Sequence, residues 1–157
     1  MRNFLIEMFM LNQDANLKMV TAVRNLPSPE EGIKHISHLV NCQYKWLDRI
    51  KIFPERSVLD WWGPVYTLDE LPDRIIDSSQ LWISYLEKTP DANIETIISY
   101  KTDENHIWQA KLKDIALQVT FHSFHHRAQI QMMIRSQGIT PELIDYISYK
   151  WIKTGMT

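Results

Sequence analysis

The sequence predicts a mainly α-helical fold: a four-helix bundle with a short β-hairpin inserted before the fourth long helix, and a short C-terminal helix. Four long segments place apolar residues at three- and four-residue steps, which is typical of amphipathic helices. Two short neighbouring segments are rich in β-branched and aromatic residues instead. With 157 residues, 45% of them hydrophobic, the chain fits a single domain over residues 1–157.

The first helix is predicted over residues 4–25. Its apolar stripe consists of Leu5, Met8, Phe9, Ala15, Met19, Val23 and Leu26. Asn12 and Asn16 fall on the same stripe. Because a buried amide without a partner is costly, these two are either core groups with hydrogen-bond partners or part of a polar pocket.

The second helix is predicted to start at the sequence Ser28-Pro29-Glu30-Glu31. Ser28 is placed as the cap, Pro29 as the first helical residue and Glu31 as the residue that closes a capping box. The helix runs to about residue 52, because Pro54 and residues 55–64 break the pattern. A third helix is predicted from near Pro72 to before Pro90, with these residues inward: Ile75, Trp82, and Tyr85 or Leu86.

The hairpin is predicted from segments 94–100 and 107–112, with a turn over residues 102–105. The fourth helix follows over about residues 112–136, and Gly138 is well placed to end it. The short last helix is predicted from Thr140-Pro141-Glu142 to about Trp151.

Bulk composition excludes several classes of function. A net charge of −2 and a pI near 6.3 give no reason to expect binding to nucleic acid or to an anionic membrane. A single cysteine, Cys42, excludes an internal disulfide and suits a reducing compartment. No apolar run approaches the roughly 18 residues of a membrane span, and no signal peptide is expected, so we expect a cytoplasmic protein.

The most informative residues are the pair His122 and His126 in the fourth helix. They lie four residues apart, so their imidazoles project from one helix face and could share one metal ion. The pair interrupts an inward stripe, and His125 lies to one side of it. That stripe consists of Ile115, Val119, His122, His126, Ile130 and Met133. The alternative is two core histidines, each hydrogen-bonded to a carbonyl or a carboxylate.

The second helix offers two further histidines, His35 and His38, and its periodicity does not choose between them. His38, Cys42 and Trp46 share one face at four-residue steps. Cys42 is either a soft metal ligand or a small buried hydrophobic residue. Metal sites in helical bundles are commonly built from facing helices.

With these residues in view, the chain resembles the DinB/YfiT-like metalloprotein superfamily over nearly its whole length. Asn16 lies where members often have an asparagine, and the stretch from His38 to Trp46 matches the family's histidine followed eight residues later by tryptophan. The segment His122-Ser-Phe-His-His-Arg-Ala-Gln-Ile130 is close to the family pattern H-x-x-x-H-R-G-Q-I, with Ala128 replacing the usual glycine. The ending also matches, at Arg135, Gly138, Pro141 and Asp145.

The resemblance implies a divalent ion, typically zinc or nickel, held by His38, His122 and His126. Relatives include transferases and isomerases that use low-molecular-weight thiols, many members have no known reaction, and homodimers are frequent. It therefore implies a homodimer with a small-molecule substrate or a thiol cofactor. Three imidazoles leave an open coordination position, as in catalytic sites, where the ion activates a water or a thiol. Iron would bind similar ligands.

Several other residues are candidates for the surroundings of this site. Asn12, Asn16 and Gln129 are expected to orient the imidazoles, as outer partners of metal ligands do. Trp61, with Trp62, either roofs a pocket or closes one end of the core. Trp46 either walls the site or packs in the core, and Arg127 is expected to form a salt bridge with another element. The sequence thus favours a metal-dependent transferase or hydrolase. The alternatives are a metal-binding, stress-related interaction protein without turnover and a bundle with hydrogen-bonded histidines.

Overall fold

The computed structural model describes residues 1–152 and contains four long helices and one hairpin. The helices are α1 (Arg2–Arg24), α2 (Glu30–Ile52), α3 (Leu71–Lys88) and α4 (Leu112–Ser136). The strands β1 (Ile97–Lys101) and β2 (Ile107–Lys111) pair antiparallel between α3 and α4. The predicted mainly α-helical bundle with a hairpin insertion is confirmed.

Helices α1 and α2 each pack against both α3 and α4. The apolar stripes of all four helices meet in the middle and form two buried clusters. The first cluster contains Ala15, Met19, Val23, Ile36, Leu39, Ile75, Ile130 and Ile134, and the second contains Leu5, Phe9, Leu47, Trp82, Leu86, Ile115 and Val119. Leu86 rather than Tyr85 therefore completes the inward face of α3, and Ile134 rather than Met133 continues that of α4.

Buried polar side chains separate the two apolar clusters at the middle of the bundle. Each helix contributes to this polar layer: Asn12 and Asn16 from α1, Gln43 from α2, Ser78 and Ser79 from α3, and Thr120, Ser123 and Arg127 from α4. Helix α2 also buries His38 and Cys42 on the side that faces α4. The candidate functional residues thus lie at the level where the core is polar.

The start of α2 differs from the prediction. Pro29 is the residue before the helix, and no side chain caps α2. Ser28 instead contacts the end of α4, because its N–H donates to Gln137 Oε1 at 2.9 Å and its carbonyl accepts from Gln137 Nε2 at 3.0 Å. The predicted capping box was wrong because a contact between distant segments ties down the Ser28 backbone.

The segment before the hairpin and the C-terminal segment also differ in detail from the prediction. Ile94 lies in a 3-10 helix, Asp91–Glu95, and not in β1, because its side chain is buried in the second cluster. Gly138, with φ of 82°, follows the end of α4 as predicted. The short C-terminal helix is a single 3-10 turn, Tyr146–Tyr149, and it is shorter than predicted because Ile144 folds back onto the first cluster.

The two strands pair around a tight turn. Tyr100 pairs with Trp108, and Ile98 pairs with Ala110. Asn105 adopts a positive φ of 65° in the turn, a conformation that asparagine tolerates better than most residues. The hairpin packs on the second cluster through Ile98, Tyr100 and Ala110.

Close packing of α1 against α2 gives a first testable prediction. A Cβ atom at Gly32 would lie 2.8 Å from Cγ2 and 2.9 Å from Cγ1 of Val23. We expect Gly32→Ala to lower the free energy of unfolding by about 1–3 kcal/mol, because Val23 is stiff and cannot give way.

Helix propensity supplies the control for this prediction. In a Val23→Ala background the clash is absent, so Gly32→Ala should stabilise the protein by up to about 1 kcal/mol. Urea denaturation of the four proteins measures both effects. A stabilising Gly32→Ala in the wild-type background would contradict the close contact.

Candidate metal site

Three potential metal ligands, His38, Cys42 and His122, meet where α2 faces α4, and His126 lies next to them but outside this group. Helix α2 contributes His38, which is 4% exposed, and Cys42, which is 3% exposed. Helix α4 contributes His122, which is partly exposed, and His126, which is 7% exposed. The four-residue spacing on each helix places the two members of each pair on one face, so the pairs oppose each other.

His38 is fixed in one tautomer by the loop that follows α2. Its Nδ1 lies 2.7 Å from the backbone oxygen of Trp61. A carbonyl oxygen only accepts, so Nδ1 carries the proton and Nε2 carries a lone pair. That Nε2 lies 2.9 Å from Nε2 of His122. Two nitrogens bound to one tetrahedral zinc lie about 3.3 Å apart, so the two atoms are close to ligand separation.

His126 lies against both of these rings. Its ring centroid is 4.6 Å from that of His38 and 4.5 Å from that of His122. Its Nδ1 lies 3.1 Å from Nδ1 of His35, one turn before His38 on α2. That contact occupies Nδ1 and leaves Nε2 as the nitrogen that could bind an ion.

Cys42 lies beside the His38 ring rather than at its tip. Its Sγ is 3.4 Å from Nε2 and 3.7 Å from Nδ1 of His38. Ligand atoms of His38, Cys42 and His122 all lie within 4.8 Å of one another, so this group could hold a metal ion. Because Sγ is almost equally distant from both ring nitrogens, it does not lie along the Nε2 lone pair.

The protonation states suit metal ligands. Burial lowers the pKa of His122 to about 4, with His38 and His125 adding to the effect. Burial also lowers the pKa of His126 to about 4, with His122 as the next cause. The pKa of His38 is lowered as well, chiefly by burial. These imidazoles are neutral at pH 7, which is the form that binds metal. Burial raises the pKa of Cys42 to about 12, so without a metal it is a thiol.

A small cavity of about 240 Å³ opens beside the ligands. Its lining consists of His38, Cys42, Trp46, Trp61, Trp62, Gln118 and His122. Trp62 stacks on His38 with ring centroids 3.9 Å apart. Trp46 contacts Tyr100 edge to face and lies beside Trp61. The tryptophans at positions 46, 61 and 62 thus wall a cavity next to the histidines.

A larger cavity lies on the α3 side of α2 and has a volume of about 320 Å³. It contains none of the histidines and no cysteine. Its lining consists of Asn41, Tyr44, Leu47, Asp48, Lys51, Leu59, Asp60, Gly63, Pro64, Tyr66 and Leu81. Chemistry rather than size therefore selects the smaller cavity as the candidate site.

Asn12 and Asn16 contact Arg127 rather than the imidazoles, whereas Gln129 lies beside two histidines. The side-chain oxygens of Asn12 and Asn16 both accept from Arg127 NH1, at 2.8 Å for Asn16. They are thus buried polar groups that share a partner rather than groups that orient imidazoles. Nε2 of Gln129 lies 3.4 Å from Nε2 of the exposed His125, and a hydrogen bond with the Gln129 side chain opposes the lowering of the His126 pKa.

Arg127 carries a buried charge without the expected salt bridge. It is 1% exposed, and within residues 1–152 it pairs with no carboxylate. Burial lowers its pKa to about 10, so it stays charged at pH 7. Its Nε and NH2 and both asparagine Nδ2 groups find no acceptor among those residues. This cluster holds α1 to α4 directly behind the site.

Sequence reasoning missed two neighbours of the candidate site, Gln118 and Asp103. Gln118 lines the cavity. Asp103 in the hairpin turn accepts a hydrogen bond from Trp61 Nε1 at 2.8 Å. The sequence signal for Asp103 is the pair Lys45 and Arg49, four residues apart on one face of α2. Two such cations need a carboxylate from another element if that face is buried.

Comparison with known proteins places the chain in a family. The family model described as DinB family matches residues 1–156, which is essentially the whole chain, so the protein belongs to the DinB family. A search among curated proteins finds no match. Within residues 1–152, no helix is both long and apolar enough to cross a membrane.

The charge of Arg127, which pairs with no carboxylate of residues 1–152, gives a second prediction. Asn16→Asp would place a carboxylate against the guanidinium and remove an orphan donor. We expect it to raise the free energy of unfolding at pH 7 by about 1–2 kcal/mol. Asn16→Ala should lower it by a similar amount, because Arg127 loses an acceptor.

The pH dependence of Asn16→Asp separates charge pairing from packing. A paired aspartate has a folded-state pKa below its unfolded value of about 3.9, so the gain should be present above about pH 3.9 and disappear progressively below it. Urea denaturation at pH 7 and in acid checks this. A variant less stable than wild type at pH 7 would contradict the prediction.

Proposed function

We propose that this protein binds one divalent metal ion between α2 and α4, with His38, His122 and His126 as ligands. The observation that carries the proposal is the meeting of two Nε2 atoms at 2.9 Å, one of which has a lone pair because Nδ1 of His38 bonds to the Trp61 carbonyl. Without a metal, these two nitrogens would share a single proton. Membership of the DinB family supports metal binding.

His126 is the third ligand in this proposal, although the ligand atoms that lie within 4.8 Å of one another are those of His38, Cys42 and His122. Contact with His35 turns Nδ1 of His126 away and leaves Nε2 on a ring packed against His38 and His122. The sulfur of Cys42 lies beside the His38 ring, so it would have to rotate before it could bind. Three imidazoles suit zinc or nickel, and iron would accept the same set.

The proposed activity is a metal-dependent transferase or hydrolase reaction, with a thiol as a candidate co-substrate. When bound, the ion would lower the pKa of a water or a thiol that it holds. The chain's own part is to hold the imidazoles neutral and to shape the cavity of about 240 Å³. Its tryptophan walls suit a small, largely apolar group. A homodimer in the cytoplasm is the proposed setting.

The lining of the cavity also favours a second candidate function. Among residues 1–152, it offers only tryptophans and the amide of Gln118 apart from Cys42 and the imidazoles of His38 and His122, so none of these residues brings a carboxylate that could act as a general acid or base. The second candidate is therefore a metal-binding, stress-related interaction protein without turnover. An ion that exchanges a bound water and accepts an added thiol would support the enzyme, and an ion closed to both would support the binding protein.

Metal content of the purified, untagged protein is the direct test. We expect about one zinc or nickel ion per chain by elemental analysis, and its loss in a triple variant with alanine at positions 38, 122 and 126. Circular dichroism should show that the triple variant stays helical. His125→Ala is the matched control, because it removes an exposed histidine from the same helix and should keep the ion. Wild-type protein that neither contains nor takes up a metal would refute the proposal.

The role of Cys42 is tested separately. Cys42→Ala should keep the stoichiometry of metal and change its dissociation constant by only a few-fold. Cobalt-loaded wild-type protein should lack the near-ultraviolet charge-transfer band of a thiolate–cobalt bond. A band present in wild type and lost in Cys42→Ala would instead make the sulfur a ligand in place of, or beside, His126.

A further inference from the structure

The turn of the hairpin places one carboxylate at a junction of three elements. Oδ2 of Asp103 accepts from Lys45 Nζ and from Trp61 Nε1, each at 2.8 Å, and Oδ1 accepts from Arg49 NH2 at 3.0 Å. The side chains of Lys45 and Arg49 are only 4% and 6% exposed. One acid thus compensates two nearly buried cations of α2 and holds the loop that follows α2.

The indole of Trp61 makes contacts through its ring face as well as through its N–H. Lys45 Nζ lies 4.4 Å from the centroid of the indole ring, and the Arg49 guanidinium carbon lies 4.6 Å from that centroid. Cations in this position attract the ring electrostatically. Because Asp103 fixes both cations and also accepts from the indole N–H, the position of Trp61 depends on this carboxylate.

The backbone of Trp61 connects this junction to the candidate site. Its carbonyl oxygen accepts from Nδ1 of His38 at 2.7 Å. We infer that Asp103 is a positioning residue for the metal site, which acts through Trp61 to fix the tautomer and the ring orientation of His38. Partners of ligating histidines have this role in metal sites generally. The inference rests on the proposed function and adds a residue from an element that supplies no ligand.

The same junction fixes the roof of the cavity. Trp61 and its neighbour Trp62 both line the cavity, and Trp62 stacks on His38. Displacing the loop would therefore release His38 from two contacts at once, the carbonyl of Trp61 and the indole of Trp62. The hairpin insertion then has a defined role, because its turn carries the acid that holds the loop over the histidines.

Metal affinity of Asp103 variants tests the inference. Asp103→Ala should raise the dissociation constant for Zn²⁺ by about 10-fold or more, the usual effect of losing an outer partner of a ligand. Asp103→Asn keeps an acceptor for Trp61 and should have a smaller effect. Glu104→Gln is the matched control, because it removes the same charge from an exposed position of the same turn and should stay within twofold of wild type.

Trp61→Phe tests the route from Asp103 to His38. It removes the indole N–H but keeps an aromatic ring and the backbone carbonyl. We expect Trp61→Phe to weaken Zn²⁺ binding, and Asp103→Ala to add little to that loss in the double variant, because the two residues act on one path. Fully additive losses would overturn the inference.

The tautomer of His38 provides a readout that needs no metal. Nitrogen-15 NMR of the metal-free protein should show His38 protonated on Nδ1 alone in wild type, and as a mixture of tautomers in Asp103→Ala. If Asp103→Ala does not fold, Asp103→Asn and Trp61→Phe carry the same measurement. An unchanged tautomer with unchanged affinity would overturn the inference. Absence of metal binding by wild type would refute the proposed function, while the tautomer would still decide the role of Asp103.

Discussion

A layer of buried polar side chains divides the apolar core in two, and the arrangement of the bundle depends on satisfying that layer. Arg127 bonds to Asn12 and Asn16 and so holds α4 to α1. Gln43 of α2 holds α3, because its side-chain oxygen accepts from Ser79 and its backbone oxygen accepts from Trp82. Because unpaired polar groups cost free energy in the interior, these bonds fix the relative heights of the helices. The histidines of α2 and α4 meet as a consequence of that alignment.

Holding the candidate ligands requires more than the helices. The helices bring His38, His122 and His126 together, but the tautomer of His38 depends on a carbonyl in an irregular loop. That loop is in turn bonded to the hairpin turn. The loop and the hairpin turn thus help to position His38 although they supply no candidate ligand. Ligating histidines commonly have such outer partners.

Local patterns predicted most of the fold because each helix carries its own apolar stripe and its own end signals. Predictions failed where a contact with a distant segment outweighed the local pattern. The Ser28 backbone bonds to Gln137 instead of starting a capping box, and Ile144 packs on the core, which shortens the last helix. The pair His122 and His126 could be identified from spacing, while the choice of His38 over His35 came from resemblance alone. Asp103 could not be predicted, because its partners lie 42 to 58 positions away in the chain.

The stacking of Trp62 on His38 bears on how the site can be reached. Trp62 is 42% exposed, so the group that covers the His38 ring is itself at the protein surface. Moving it needs rotation about its own side-chain bonds and no displacement of a helix. Access to the His38 ring therefore depends on one side chain at the surface rather than on an opening of the bundle.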